Sequence, residues 1–330
     1  MKEVVLSGIR STGHLHLGNY FGALRNFVQM QHEYRCYFFV ADWHSLTTHP
    51  TPEDHQGNVR TVISEYLACG IDPDVATLYV QSDVPEIAEL YLLLNMNAYV
   101  GELERTTTFK EKVRKQPENV NAGLLTYPVL MAADIIIHKA NKVPVGKDQE
   151  QNLEMARKFA KRFNRIYGVD FFIEPKGYSF SGKLIKIPGL DGSGKMGKSE
   201  GNALNLADDP EVIRQKVMRA VTDAGPTHEN QTPPEPIQNL FQLMEVASQP
   251  DVIAYYRKQY AECKIRYGEM KSQLADDLIR LTAPIRERIT DIQGDEEYLR
   301  KIVRQGAEKA RESASKTLRE VKEIMGFKPF

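Results

Sequence analysis

The sequence predicts an α/β fold: a doubly wound parallel sheet with a helical insertion, followed by an all-helical domain. Two observations lead to this prediction. In the first half of the chain, short β-type runs alternate with segments of helical period, whereas in the second half apolar residues recur only at helical spacing. The chain has 330 residues, which is enough for about two domains.

The β-type runs are short and rich in β-branched and aromatic residues, and they cover residues 4–6, 36–41 and 77–81. Helical patterns follow or separate them at residues 19–33, 60–69, 127–137 and 149–167. A further helix is expected at residues 87–100, after Asp83 and Pro85. This segment is apolar on nearly every side, so it is expected to be buried, either in the core or between subunits.

Beyond residue 183 the composition of the chain changes. Residues 183–205 are rich in Gly, Lys and Ser and predict a mobile loop, and residues 224–236 hold four prolines and predict an extended connection between helices. Asp209 and Pro210 predict the start of a helix over residues 211–221. The last predicted helix ends at Gly326 and carries one apolar stripe, formed by Ala307, Ala310, Ala314, Leu318, Val321 and Met325.

We therefore predict three units. Residues 1–206 form the sheet domain, with the helical insertion at about 84–122 and the mobile loop at 192–201. Residues 207–292 form a helical domain, and residues 293–330 form a helix that packs back on the body.

Composition excludes several classes of protein. Because 43 Lys and Arg are balanced by 44 Asp and Glu, the net charge is only −1, and any nucleic acid must be met by local basic patches such as 105–115 or 157–165. Three separated cysteines, Cys36, Cys69 and Cys263, show no metal-ligand spacing and predict reduced thiols in the cytoplasm. We find neither a secretion signal nor an apolar run of the ~20 residues that a membrane span needs.

The first motif joins the first strand to the first helix, at residues 7–19. Its glycines let the backbone approach a ligand, and a helix amino terminus attracts phosphate. His16 and Asn19 are candidates to donate hydrogen bonds to phosphate or ribose. Two alternatives are a plain glycine-rich turn and a metal site at His14 and His16, for which no third ligand is apparent.

The second motif runs from Gly192 to Ser199 and fits the Walker A spacing of phosphate-binding loops. A Walker A loop leads directly into a helix, but residues 200–209 show no apolar periodicity. The alternative is a flexible loop whose Lys195 and Lys198 converge on a pyrophosphate leaving group.

Together, His16-Leu17-Gly18-Asn19 and Lys195-Met196-Gly197-Lys198-Ser199 resemble the two signature sequences of class I aminoacyl-tRNA synthetases, enzymes with a Rossmann-type sheet. Five further segments resemble bacterial tryptophanyl-tRNA synthetases in particular, so the similarity covers nearly the whole chain. They are residues 42–44, 101–105, 127–134, 143–149 and 220–223.

This resemblance implies a pocket for tryptophan in which the carboxylate of Asp134 accepts the indole N–H. A buried acceptor of this kind rejects phenylalanine, which has no such donor. The resemblance also implies that Tyr127 and Gln149 orient the amino group and that His44 lies near the rim. The ring pocket would be shaped by Leu6, Gly8, Met131, Val143 and Val145.

The resemblance also implies a two-step reaction. Tryptophan is first activated with ATP to the adenylate and is then transferred to tRNA(Trp). Catalysis would come from Lys195, Lys198, His16 and Asn19, with Mg²⁺ accompanying ATP as substrate and no tightly bound cofactor. The residues expected to contact ATP are Arg10, Ser11, Thr12, His16, Gly18, Asn19, Lys112, Gly146, Lys147, Asp148, Ile187, Lys195, Met196, Gly197, Lys198 and Ser199.

Two further expectations follow from the family: residues 207–292 read the anticodon, and the molecule is a homodimer without a membrane partner. The chain departs from the family pattern at Leu6, Arg10, Thr108, Lys147 and Gly197, and Arg10 and Lys147 add positive charge beside the nucleotide. The nearest rival is a tyrosyl-tRNA synthetase, since a phenol hydroxyl also donates to a carboxylate. Other rivals are a catalytically silent relative that binds RNA or tryptophan, and a P-loop nucleotidase.

Overall fold

A computed structural model describes residues 2–146, 149–178, 186–197 and 200–328. It contains a five-stranded sheet in the order β3-β2-β1-β4-β5, and every neighbouring pair is parallel. The strands are β1 Val4–Ile9, β2 Arg35–Val40, β3 Thr77–Val80, β4 Lys142–Pro144 and β5 Lys176–Tyr178. The parallel sheet predicted from the first half of the chain is confirmed, and β1, β2 and β3 coincide with the predicted runs.

Helices make up most of the remaining described structure. Short 3₁₀ or π turns extend several of them, including a π turn at Tyr20–Leu24 that joins α1 to α2. The α-helices are α1 Leu17–Asn19, α2 Arg25–Glu33, α3 Asp42–Ser45, α4 Pro52–Ala68, α5 Glu86–Asn95, α6 Val100–Leu103, α7 Thr107–Lys115, α8 Ala122–Ile137, α9 Glu150–Tyr167, α10 Pro210–Met218, α11 Glu235–Ala247, α12 Pro250–Ala261, α13 Tyr267–Gly294 and α14 Glu296–Ile324.

The sheet is covered on both faces, as side-chain alternation along β2 shows. Phe38 and Val40 belong to a core that includes residues of α2, α4 and the helices from α10 to α13. Tyr37 and Phe39 point into a second core, with residues of α5, α8, α9 and α14. Because both faces of the strand are buried, its sequence is a continuous apolar run, as is typical of parallel sheets.

The prediction of a single helix over residues 87–100 is wrong. Helix α5 ends at Asn95, and the chain turns before α6 begins at Val100. Ile87, Leu90 and Leu94 are buried, but Met96 is 71% exposed and lies beyond the helix. Helix α5 packs on α8 and α14, and of its apolar side chains Leu92, at 54% exposed, lies at the surface. No helix in the described ranges combines the length and apolarity needed to cross a membrane.

Helix α14 packs along β3 and α5. The predicted stripe faces inward, since Ala310, Ala314 and Val321 are each 0% exposed. Gly306 brings the helix backbone against the strand, because a Cβ there would lie 1.7 Å from the carbonyl oxygen of Leu78. The helix ends just before Gly326, whose φ of +87° is the left-handed conformation that glycine adopts readily at a helix terminus.

Candidate active site

A cavity of about 400 Å³ opens beside the carboxyl ends of β1 and β4. The chain leaves β1 toward β2 on one side, and β4 lies on the other, so this is the switch point at which doubly wound sheets bind ligands. Many of the predicted site residues line it: Leu6, Gly8, Arg10, Asn19, His44, Lys112, Tyr127, Met131, Asp134, Val143, Val145, Gly146 and Gln149.

Asp134 lies on α8 at the inner end of the cavity and is only 1% exposed. Nε2 of His44 donates a hydrogen bond to one of its carboxylate oxygens at 2.9 Å, and Nε2 of Gln81 donates to the other at 2.7 Å. Burial raises the pKa of Asp134, and these two hydrogen bonds oppose the rise. A carboxylate has about four acceptor positions, so Asp134 can still accept a donor from a ligand.

His44 lies deeper than the pocket rim at which the family resemblance places it. Its side chain is 10% exposed and bonds directly to Asp134. The residue that sequence reasoning missed is Gln81, which follows β3 and is 0% exposed. Its amide oxygen also accepts from the backbone N–H of Trp43 at 3.2 Å, and this contact fixes the orientation of the amide.

Tyr127 and Gln149 are connected by a second residue that the sequence does not single out. Nδ2 of Asn152 donates to the Tyr127 hydroxyl at 2.9 Å and to Oε1 of Gln149 at 2.8 Å. Asn152 is 0% exposed and lies on α9, so it joins α8 to the start of α9 at one side of the cavity. Burial raises the pKa of the Tyr127 phenol, which keeps its proton at neutral pH.

Two cations lie together in the cavity. The ammonium of Lys112 is 4.1 Å from the centre of the Tyr127 ring, and burial, together with the nearby positive charge of Arg10, lowers the pKa of Lys112 to about 8. Burial also lowers the pKa of Arg10. Within the described ranges neither side chain forms an ion pair, so an anionic ligand would relieve an unfavourable arrangement of charge.

The turn between β1 and α1 is tightly organised. Oδ1 of Asn19 accepts from the backbone N–H of His16 at 3.0 Å, and His16 is 7% exposed. Gly18 lies against the imidazole of His16, since a Cβ on it would be 2.8 Å from the ring. A side chain at position 18 would therefore displace the imidazole of His16.

Not every expectation for this turn holds. The backbone N–H of Leu17 donates to Leu204 at 2.9 Å, and that of Asn19 donates to His16 at 2.8 Å. With the His16 N–H also occupied, the helix amino terminus presents fewer donors to phosphate than predicted. Ser11 is 1% exposed and its hydroxyl donates to Ser45 at 3.0 Å, so its side chain does not reach the cavity lining.

His14 also has a structural contact, because Nδ1 lies 2.7 Å from Oε1 of Glu65. No three His, Cys, Asp or Glu side chains cluster as a metal site anywhere in the part of the chain that the structure describes. The metal-binding alternative for His14 and His16 thus gains no third ligand.

The second signature loop is held by Asn202, which is 4% exposed. Its Oδ1 accepts from the N–H of Gly197 at 2.9 Å, and its Nδ2 donates to Oδ1 of Asp191 at 3.0 Å and to the carbonyl of Lys195 at 3.2 Å. Asparagine side chains in glycine-rich loops commonly bond to nearby backbone groups, and this is the sequence signal that could have identified Asn202.

Within this loop, Met196 is buried, and its N–H donates to the carbonyl of the buried Ile187 at 2.9 Å. Lys195 is exposed. The cavity lining includes none of Ile187, Lys195, Met196 and the half-buried Thr12. Residues 200–209 form no α-helix, so the context of a Walker A loop is absent from that segment. The predicted Lys147, Asp148, Lys198 and Ser199 lie outside the described residues.

The first signature segment is joined by backbone hydrogen bonds to residues 204–206, which follow the second signature. His16 and Asn205 form an antiparallel bridge, flanked by the bond from Leu17 to Leu204 at 2.9 Å and one from Leu206 to Leu15 at 2.8 Å. The loop also lies over the turn, since Cβ of Met196 is 3.7 Å from where a Cβ on Gly18 would be. The two signature segments therefore lie against each other at Gly18 and Met196.

Comparison with known proteins gives a consistent result. The model of the family described as tRNA synthetases class I (W and Y) matches residues 2–283. A tryptophan–tRNA ligase of Porphyromonas gingivalis is 66% identical over 326 residues, covering 99% of this chain and 100% of the relative. One from Rickettsia bellii is 42% identical over 336 residues, covering 99% of each.

A solved structure of tryptophanyl-tRNA synthetase from Campylobacter jejuni, complexed with ADP and tryptophan, is similar throughout. It shares 30% identity with a TM-score of 0.89, over 98% of this chain and 100% of the other. Sequence, fold and site geometry therefore agree, and the chain belongs to the class I tRNA synthetases of the tryptophan and tyrosine family.

Proposed function

We propose that the chain is a tryptophan–tRNA ligase, which activates L-tryptophan with ATP and transfers it to tRNA(Trp) in protein synthesis. The observation that carries this proposal is the buried carboxylate of Asp134 at the inner end of a largely apolar cavity. Buried carboxylates need donors, and the indole N–H of tryptophan supplies one.

The walls of the cavity suit a flat apolar ring. Leu6 and Val143 are 2% and 3% exposed. Gly8 lies directly over the ring of Phe39, because a Cβ on this glycine would be 2.5 Å from the nearest ring carbon. The wall is therefore apolar, and the absence of a side chain at Gly8 leaves room for the Phe39 ring that also lines it.

The carboxylate decides which aromatic ring is accepted. A phenylalanine ring would leave Asp134 with an unfilled acceptor position, so the pocket discriminates against it. A phenol hydroxyl also donates, and here the relatives named as tryptophan–tRNA ligases, at 66% and 42% identity, favour tryptophan over tyrosine.

The opposite end of the cavity suits the anionic groups of the reaction. In the first step the tryptophan carboxylate attacks the α-phosphate of ATP, giving tryptophanyl-adenylate and pyrophosphate. Arg10 and Lys112 provide positive charge inside the cavity, and Lys195, together with Lys198, stabilises the charge that develops on pyrophosphate. No side chain acts as a nucleophile, so the rate comes from positioning and from charge stabilisation.

The remaining nucleotide contacts follow the family. Gly146 and Asp148 bind the ribose, His16 and Asn19 contact the phosphates, and Mg²⁺ enters as the metal complex of ATP. Tyr127 and Gln149 orient the amino group of tryptophan; their shared contact with Asn152 supports this role because it holds both at one side of the cavity.

Transfer to tRNA uses the rest of the chain. We assign residues 1–206 to catalysis, residues 207–292 to the anticodon and residues 293–330 to a helix that supports the sheet domain, with the reaction placed in the cytoplasm. A homodimer is supported by the apolar surface at the end of α5, where Leu92 and Met96 are 54% and 71% exposed and Tyr99 and Val100 are each 58% exposed.

The test is amino-acid-dependent exchange of labelled pyrophosphate into ATP, measured with each of the twenty amino acids and with Asp134→Ala. Exchange with tryptophan alone, lost in the variant, is the expected result. Exchange with tyrosine would keep the family and overturn the substrate. No exchange, with retained tRNA binding, would favour the silent relative, and steady ATP hydrolysis without an amino acid would favour the nucleotidase.

A further inference from the structure

Helix α4 carries a buried acid that is outside the cavity and has no role in the reaction described above. Glu65 lies near the end of this helix, and its side chain is 0% exposed. Ionised groups are rarely buried unless donors satisfy them. Among the described residues, the donors that reach its side chain come from one segment, the turn that leads into the first signature.

Both carboxylate oxygens of Glu65 are used. Oε1 lies 2.7 Å from Nδ1 of His14, and Oε2 accepts the backbone N–H of Leu15 at 2.6 Å. A carboxylate only accepts, so Nδ1 of His14 carries the proton of the first bond. Leu15 is 0% exposed, so water cannot replace the carboxylate as the acceptor for its N–H.

The turn is held from its other side as well. The carbonyl of Leu15 accepts from Leu206 at 2.8 Å, and the N–H of Leu17 donates to Leu204 at 2.9 Å. His16 therefore lies between two anchored residues, with α4 on one side and the segment that follows the second signature on the other. Any shift of Leu15 moves His16 and the start of α1 with it.

We propose that Glu65 is a positioning residue for ATP: by binding His14 and Leu15 together, it sets the place of His16 and Asn19 relative to the phosphates. The inference rests on the proposed function, in which those two residues contact ATP. Glu65 itself does not line the cavity, so it acts only through the turn. Tryptophan contacts Asp134 at the inner end and is expected to bind independently of it.

The experiment measures KM for ATP and KM for tryptophan in pyrophosphate exchange with the full chain. Glu65→Gln keeps the shape but leaves one acceptor oxygen for two donors, and we expect KM for ATP to rise about tenfold with KM for tryptophan unchanged. His14→Ala removes only the side-chain contact, at a half-exposed residue, and should raise KM for ATP about threefold.

A double variant, with both Glu65→Gln and His14→Ala, separates positioning from a general loss of stability. Without His14, a glutamine can still accept from Leu15, so the double variant should stay within about twofold of His14→Ala. Asp277→Asn is the matched control: it alters a 3% exposed acid on α13 and should leave both KM values unchanged, whatever it does to the unfolding temperature.

Two results would overturn the proposal: an unchanged KM for ATP in both single variants, or an equal rise in both KM values. If Glu65→Gln does not fold, His14→Ala decides alone by the same criterion. A failure of the proposed function is distinguishable, since the unaltered chain would then show no tryptophan-dependent exchange at all.

Discussion

The two ends of the cavity differ in how their charged groups are satisfied. At the inner end, Asp134 already accepts hydrogen bonds from His44 and Gln81. At the outer end, Arg10 and Lys112 lie close to each other, and neither has an ion-pair partner within the described ranges. The inner end is thus held in place by the protein before any ligand arrives, whereas the outer end is completed by the substrate's own charge.

The largest effect should come from the second signature loop, which lies outside the cavity lining. Lys195→Ala removes one of the charges that stabilise the leaving pyrophosphate, and we expect the exchange rate to fall by about 10²- to 10³-fold. Tryptophan affinity, measured by calorimetry, should not change. Lys186→Ala, at an exposed lysine of the same segment, is the control; an equal loss there would show that the loop contributes only general positive charge.

At the inner end, Asp134→Asn keeps the shape of the side chain and removes its charge. The asparagine has one neutral oxygen in place of two charged ones. It cannot accept the hydrogen bonds from both His44 and Gln81, and it is a weaker acceptor for the indole N–H. We expect kcat/KM for tryptophan to fall about 100-fold, with KM for ATP unaffected. An equal rise in KM for ATP would show that the two ends are not independent.

The pH dependence of ATP binding tests the outer end directly. Lys112 has a pKa lowered to about 8, so it is charged below that pH and neutral above it. Since only the charged form attracts phosphate, KM for ATP should rise above pH 8, by up to about tenfold at pH 9. Lys112→Arg stays charged and should abolish this rise; a rise that persists in the variant would assign the titration to another group.

The smallest effect is expected from Gln81→Met, which fills the same space without donating to Asp134. One hydrogen bond to the carboxylate is lost while that from His44 remains, so tryptophan affinity should fall about fivefold. The loss should also raise the pKa of Asp134 further, so the variant should lose affinity at a higher pH than the unaltered chain as the solution is acidified. An unchanged affinity would mean that His44 alone orients the carboxylate.

Much of the sheet domain is predictable because its signals are local. The continuous apolar run of β2 and the helical period of α9 are visible in the sequence and coincide with the elements observed. Strands β4 and β5 escape sequence prediction, because each has three residues and their place depends on parallel pairing with distant strands. The apolar segment of α5 suggests complete burial because composition does not show how much of a helix its neighbours cover.

The candidate site likewise contains residues that the sequence identifies and residues that it does not. Asp134, Tyr127 and the signature residues carry motif signals, and the structure brings Asp134 and Tyr127 into one cavity. Gln81 and Glu65 carry none, because each is a single polar residue whose partner lies 53 or 51 positions away in the chain. Only the fold shows that such residues are buried and which donors or acceptors they meet.

The close contact between Gly306 and Leu78 also has a consequence for synthesis on the ribosome. Helix α14 is translated after every strand, so β3 lacks the helix that packs along it while α14 is still being made. At about 5–20 residues per second, the 29 residues of α14 take roughly 1.5 to 6 seconds. During that interval the apolar side of β3 is open to chaperones and to other nascent chains, and the backbone contact at Gly306 forms only when the helix emerges.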